Sequence, residues 1–303
     1  MGRVVGAGVV AHVPTMVMDE SIRRELNDGN EISLVPGMER LRTEVIDPLA
    51  HDPGIDTVIV FDTHWFTTFE FVVTSHERRS GKFTSEELPR GMSQVPFDFP
   101  GDPELAEAIG AEATAAGTWI TPIDDPYLPI HYATVNLLPF LQGCGTPAGR
   151  PERWISISIP QTGETDDFLL AGEVIGRAIE RSDRNVVLLA SGALSHKFWP
   201  LKALRDHEPS DPVHIRTDAH RAADLERLDW MYEGRHDRII DTMDEFLRFT
   251  PEGRFGHYLM MVAAIGGRGC NARGRLFGEY ESAVGTGQAH VWFDRPADGW
   301  TAG

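Results

Sequence analysis

Cysteine is nearly absent from this chain: Cys144 and Cys270 are the only two thiols among 303 residues. Two isolated thiols build neither a disulfide framework nor a zinc ribbon, so both read as small buried hydrophobes and the compartment as a reducing cytoplasm. Positive charge is also scarce. Lys and Arg number 28 against 46 Asp and Glu, a formal net charge of −18, which argues against nucleic acid or an anionic membrane surface as a partner. No uninterrupted apolar run is long enough to span a bilayer, and Met1 leads into one Arg and a short strand-like run rather than a signal-peptide layout. The expectation is a soluble cytoplasmic protein with no nucleic-acid or membrane partner. Walker-type phosphate loops, internal repeats and low-complexity tracts are missing as well.

Apolar residues are plentiful, at 41%, and no convincing linker divides the chain, so residues 1–303 read as one α/β domain. Short runs rich in β-branched residues mark buried strands at Val4–Val10, Asp56–Phe61, Trp119–Ile123, Trp154–Ile159 and Asn185–Ala190. Helical spacing covers Asp19–Leu26, Val35–Leu49, Pro103–Ala116 and Asp166–Arg181, and two charged helices are expected in 203–248 about Glu233-Gly234-Arg235. The apolar stretch Leu259–Ile265 is a further helix, with Gly266-Gly267-Arg268-Gly269 as its cap and turn. Between Glu70 and Pro103 lies a long excursion with a short strand. Its Phe83, Phe97 and Phe99 read either as plain core or as an apolar wall for a ligand. Alternating strands and helices predict a central, mostly parallel sheet flanked by helices, with ligands at the carboxyl ends of its strands.

Histidines fall at those ends. His12 follows the first strand in Ala11-His12-Val13-Pro14, and His64 follows the second in Asp62-Thr63-His64-Trp65. His196 lies just beyond the strand that runs into Ser191-Gly192-Ala193-Leu194-Ser195-His196, and the loop before Tyr132 delivers His131. A strand-end histidine bonded to a carbonyl is the plain alternative for each one taken alone. His51, His76, His207, His214, His220 and His236 sit in charged, helical or turn contexts and read as solvated. Two imidazoles plus one carboxylate form the ligand set of non-haem Fe(II) enzymes that activate oxygen. Glu252 is the only acid of Thr250-Pro251-Glu252-Gly253-Arg254-Phe255-Gly256-His257-Tyr258, where it reads as that carboxylate or as a helix N-terminal acid favoured by the macrodipole. Ser191 and Ser195 raise serine chemistry, but the second glycine of a nucleophile elbow is absent.

In order along the chain, His12–Met16, Val60–Trp65, Phe83–Pro89, Gly101–Leu105, Ala190–His196 and Gly285–Gln288 resemble the class III extradiol ring-cleaving dioxygenases. Within that family the likeness is greatest to the 3,4-dihydroxyphenylacetate 2,3-dioxygenases. The resemblance implies His12 and His64 as ligands of Fe(II), His196 as the acid/base residue, and His131 and Tyr132 as residues that orient substrate and oxygen. Several members place a carboxylate where His257 stands here, whereas the homoprotocatechuate-like ones share Glu-Gly-x ahead of it. This favours Glu252 as third ligand and leaves His257 as a substrate-binding candidate. It also implies an aromatic diol and O2 as substrates, and a homo-oligomer.

Overall fold

In a computed structural model, residues 1–143 and 152–301 are described, and Cys144 lies outside them. An eight-stranded sheet runs in the order β6-β3-β7-β2-β8-β1-β10-β9. Its strands are β1 (Arg3–Val10), β2 (Thr57–Thr67), β3 (Phe71–Thr74), β6 (Ile120–Ile123), β7 (Arg153–Pro160), β8 (Asn185–Ser191), β9 (Gly274–Ala283) and β10 (Thr286–Asp294). The central strands β7, β2, β8 and β1 are parallel. Both flanks then turn antiparallel, through β3 against β7 and through the hairpin β10–β9 against β1. A separate two-stranded sheet pairs β4 (Arg78–Phe83) with β5 (Val95–Pro100).

Successive residues of the central strands point into two different cores, as expected of parallel strands covered on both faces. Val186, Leu188 and Ala190 of β8 join one core, which also receives the helices Pro103–Ala116 and Thr165–Arg181 and the apolar helix Gly256–Ala264. Val187 and Leu189 join the other, closed by the helix Leu34–Leu41 and the short helix Leu138–Leu141. The predicted α/β architecture is therefore the observed one.

Local differences have local causes. The expected helix Val35–Leu49 is a helix to Leu41, a π turn over Arg42–Ile46 and a short helix from Asp47, with Pro48 unable to donate a backbone hydrogen bond. The region 203–248 holds one long helix, Asp218–Glu233, ended by Gly234 at φ +72°, then the short helices His236–Asp241 and Met243–Phe246. The excursion after Glu70 contains three strands rather than one. His220 and His236 are buried rather than solvated: the His236 ring bonds the Tyr258 hydroxyl and the Ala272 carbonyl. Cys270 is free and buried.

Candidate metal centre

Register explains why distant histidines meet. Val10 of β1 and Asp62 of β2 both lie level with Ser191 of β8, so His12 and His64 each stand two residues beyond one row of three neighbouring strands. β2 then breaks its pairing with β7 between Phe61 and Phe66. The Asp62 carboxylate accepts the freed amides of His64 and Trp65, at 3.0 and 3.1 Å, and the Thr134 hydroxyl at 2.7 Å. An irregularity of this kind re-aims a side chain, and here the side chain is His64. On the other strand, the buried Asn136 side chain donates to His12 O at 2.6 Å.

Glu252 arrives from a turn that pairs with the segment after β8. Ser195 and Pro251 form an antiparallel bridge, and Glu252 N donates to Leu194 O at 3.1 Å. Its carboxylate is buried. Oε2 accepts the Ala193 amide at 2.5 Å, and Oε1 accepts the Thr63 hydroxyl at 2.8 Å. Oε1 also lies 3.2 Å from His64 Nε2, 3.6 Å from His12 Nε2 and 3.9 Å from His196 Nε2. Burial alone would raise the Glu252 pKa. The charges of His196 and His12 and the hydrogen bonds of His12 and His64 outweigh that and hold it well below the usual range.

His12, His64 and Glu252 offer ligand atoms that all lie within 4.8 Å of one another. Bonds of about 2.1 Å set neighbouring ligand atoms about 3 Å apart, so the donor set and its spacing fit a divalent ion with open positions. Beyond it opens a pocket of about 390 Å³, lined among others by Phe66, Phe83, Glu87, His131, Tyr132, His196 and Phe198. That volume suits a single small ring.

Burial lowers the pKa of both His131 and His196, so both imidazoles are neutral near pH 7. The buried His131 Nε2 has no hydrogen-bond partner among the described residues. Tyr132 packs its ring 3.7 Å from that of His64, and its hydroxyl donates to Glu87 Oε2 at 3.0 Å.

His257 does not take the expected place. It is fully buried, fills the space that a side chain at Gly192 would occupy, and is not on the pocket wall. The reason is its position in the first turn of an apolar helix packed under the sheet, where burial depresses its pKa to about 3. Phe83 does line the pocket, whereas Phe99 belongs to the core and Phe97 packs against it. Sequence reasoning missed Asp62, Thr63 and Glu87 as parts of the site. Asp62 and Thr63 stand inside Asp62-Thr63-His64, so adjacency was the available signal. It also missed His290, whose ring accepts the Ala11 amide and bonds Leu34 O, both at 3.1 Å.

Comparison with known proteins agrees with this geometry. The family model described as the catalytic LigB subunit of aromatic ring-opening dioxygenase matches residues 6–293. The chain is 27% identical over 271 residues to the 3,4-dihydroxyphenylacetate 2,3-dioxygenase of Escherichia coli, covering 88% of this chain and 91% of that one. It is 24% identical over 307 residues to the 2-aminophenol 1,6-dioxygenase beta subunit of a Pseudomonas species, covering 96% and 93%. Among solved structures, an uncharacterized protein of Escherichia coli K12 shares the fold, with a TM-score of 0.59 at 15% identity over 95% of this chain and 99% of that one. Carrying that family's match across nearly its whole length, the chain belongs to the aromatic ring-opening dioxygenases of the extradiol type.

Proposed function

We propose that this enzyme cleaves a catechol-type diol, such as 3,4-dihydroxyphenylacetate, beside its two hydroxyls, using O2 and an Fe(II) held by His12, His64 and Glu252. The observation that carries the reading is the convergence of these three ligand groups at the floor of a ring-sized pocket, with His196 Nε2 only 3.9 Å from the Glu252 carboxylate. Bound there, iron would supply Lewis acidity toward the diol and a position for oxygen.

The chain's own residues do the rest. His196, neutral at pH 7, takes a proton from a diol hydroxyl and returns it as the ring opens, serving first as base and then as acid. His131 faces the pocket with an unpaired Nε2 that can bond substrate or oxygen. Tyr132 stays a neutral phenol, because burial raises its pKa, and it braces the His64 ring. Phe66, Phe83 and Phe198 give the aromatic ring an apolar wall that limits access of water. His257 is fully buried against Gly192 and off the pocket wall, out of reach of substrate.

A 2-aminophenol would fit the same ligand set, and the Pseudomonas relative is named for that substrate. A metal-binding relative without turnover is less consistent with the site, because His196 lies on the pocket wall with nothing to do in mere binding. Ser195 is not a serine nucleophile, since its buried hydroxyl donates to a carboxylate rather than to a histidine.

We also read residues 1–303 as one catalytic domain, supported by a sheet that draws strands from both ends of the chain. A cytoplasmic homo-oligomer completes the proposal, supported by the free Cys270 and by the half-exposed Phe66 and Phe198 at the pocket mouth. Among the described residues no helix is long and apolar enough to cross a membrane.

The test is metal content after anaerobic loading with Fe(II), followed by oxygen uptake and product spectra on 3,4-dihydroxyphenylacetate, catechol and 2-aminophenol. Stoichiometric iron, oxygen consumption and a yellow semialdehyde from a diol are expected. Iron without oxygen uptake on any of the three would reject the reading.

A further inference from the structure

Beside the pocket lies a carboxylate that the chemistry above does not use. Asp224, on the helix Asp218–Glu233, is completely buried and meets three donors. Its Oδ1 accepts the Ser195 amide at 2.8 Å, and its Oδ2 accepts the Ser195 hydroxyl at 2.7 Å and the Tyr280 hydroxyl at 2.6 Å. A fully buried carboxylate is costly unless its acceptors are satisfied, and here three donors satisfy them. Gly287 is what admits it, because a Cβ at that position would fall 2.0 Å from Asp224 Oδ2.

Four pieces of chain meet at this one side chain, namely a helix, the segment after β8, and the two strands of the β9–β10 hairpin. The segment it grips is the one that builds the site. His196 is the next residue after Ser195, and its amide donates to Thr250 O at 3.0 Å. Leu194, the residue before, accepts the Glu252 amide, and Gly287 pairs with both Leu194 and Ser195. A shift of Ser195 therefore moves the acid/base histidine and the carboxylate ligand together.

We infer that Asp224 is a positioning residue for this reaction: through Ser195 it fixes His196 and Glu252 relative to each other across the pocket. The inference rests on the function proposed above. Asp224 touches neither substrate nor metal ligand, and it acts only by where it holds its neighbours. Its three acceptor bonds take one backbone amide of fixed direction and two hydroxyls, which an amide in the same place cannot reproduce without turning both hydroxyls.

The experiment compares Asp224→Asn, Tyr280→Phe and the wild type. Asp218→Asn, on the exposed start of the same helix, is the control. Each protein is examined for Fe(II) and Zn(II) dissociation constants, for kcat and KM per bound iron on the best diol, and for the pH profile of kcat. Asp224→Asn should weaken metal binding about tenfold and lower kcat about 10- to 100-fold, as for other residues that hold ligands in place. KM should stay within about threefold, and the acid limb governed by His196 should shift. Tyr280→Phe, which removes one donor, should move the same quantities less, and Asp218→Asn should move none.

A merely structural role predicts something else: Asp224→Asn would melt lower, yet keep wild-type kcat per iron, metal affinity and pH limb. That result overturns the inference. If Asp224→Asn does not fold, Tyr280→Phe decides by the same criteria. If the wild type turns over no diol, the functional reading falls while the metal dissociation constants still judge Asp224.

Discussion

Ser191 dictates the tautomer of His12. The Ser191 hydroxyl donates its single proton to Ala133 O at 2.7 Å, so toward His12 Nδ1, 3.0 Å away, it can only accept. His12 therefore carries its proton on Nδ1 and presents the Nε2 lone pair to the metal position. Support of this kind orients a ligand and strengthens it as a base. Ser191→Ala should weaken Fe(II) binding about 10- to 100-fold while leaving the strand intact, read by metal titration alongside circular dichroism. Unchanged affinity would mean that His12 needs no such partner.

As the proposed acid/base residue, His196 should set the acid limb of activity. Its folded pKa lies below the ordinary 6.5 because burial disfavours the cation. The base form is thus present throughout neutral pH and is lost only on acidification past that lowered value. kcat/KM should be flat from pH 7 to 8 and fall only on acidification below the ordinary imidazole range. His196→Phe should remove the limb and lower kcat by about 100-fold at unchanged iron content. Near-normal turnover of that variant would assign the proton transfers elsewhere.

Backbone strain concentrates just after Glu252. Gly253, Arg254 and Phe255 are three consecutive left-handed residues, at φ +53°, +56° and +60°. Each non-glycine residue in that region costs about 1 kcal/mol. Neighbouring substitutions should therefore act in opposite directions. Gly253→Ala should destabilise by about 1–2 kcal/mol, because it adds strain and its Cβ would come 3.2 Å from the Thr63 methyl. Arg254→Gly should be neutral or stabilise by up to about 1 kcal/mol. Urea unfolding of the two variants checks the signs, and equal losses would show that the turn is not strained.

Asp224 should also leave a mark on stability against pH. Burial raises its carboxyl to about 6 from an ordinary 3.8. The folded state then binds a proton that the unfolded state has already lost, so this contribution is complete below pH 3.8 and disappears as pH rises through 6. Two pKa units correspond to about 3 kcal/mol at most. Asp224→Asn has no such titration, so the stability of the wild type relative to that variant should decline between about pH 4 and 6. A constant difference across this range would refute the raised pKa.

The parallel centre of the sheet was readable because strands buried on both faces must be apolar throughout, as Val58–Phe61 and Val186–Ala190 are. The two histidines were equally visible, since His12 follows one such run and His64 comes three residues after another, although β2 continues past His64 to Thr67 rather than ending there. β9 and β10 were not read, because Arg275, Glu279 and Glu281 and the glycines at 274, 278, 285 and 287 interrupt the apolar pattern. Their pairing with β1 is a tertiary fact. The burial of His220 and His236 was hidden for the same reason, since a polar helix face looks solvated until another helix covers it. Asp224 was invisible as a support because its partners, the Ser195 amide and the Ser195 and Tyr280 hydroxyls, come from distant segments that no local spacing records. Asp62, by contrast, accepts amides two and three residues on, and only its adjacency to His64 marks it.

β1 is an interior strand, with β8 on one side and on the other β10, the last of the described strands in chain order. During synthesis the first strand emerges long before the hairpin that must close its open edge. His12 is then already present, but Glu252 and the Gly287 contacts that hold its turn are not. A ribosome-bound chain therefore carries half a metal site beside an unpaired strand. The proposed centre is completed only when the strand carrying Gly287 docks, so metal uptake would report docking of the β9–β10 hairpin.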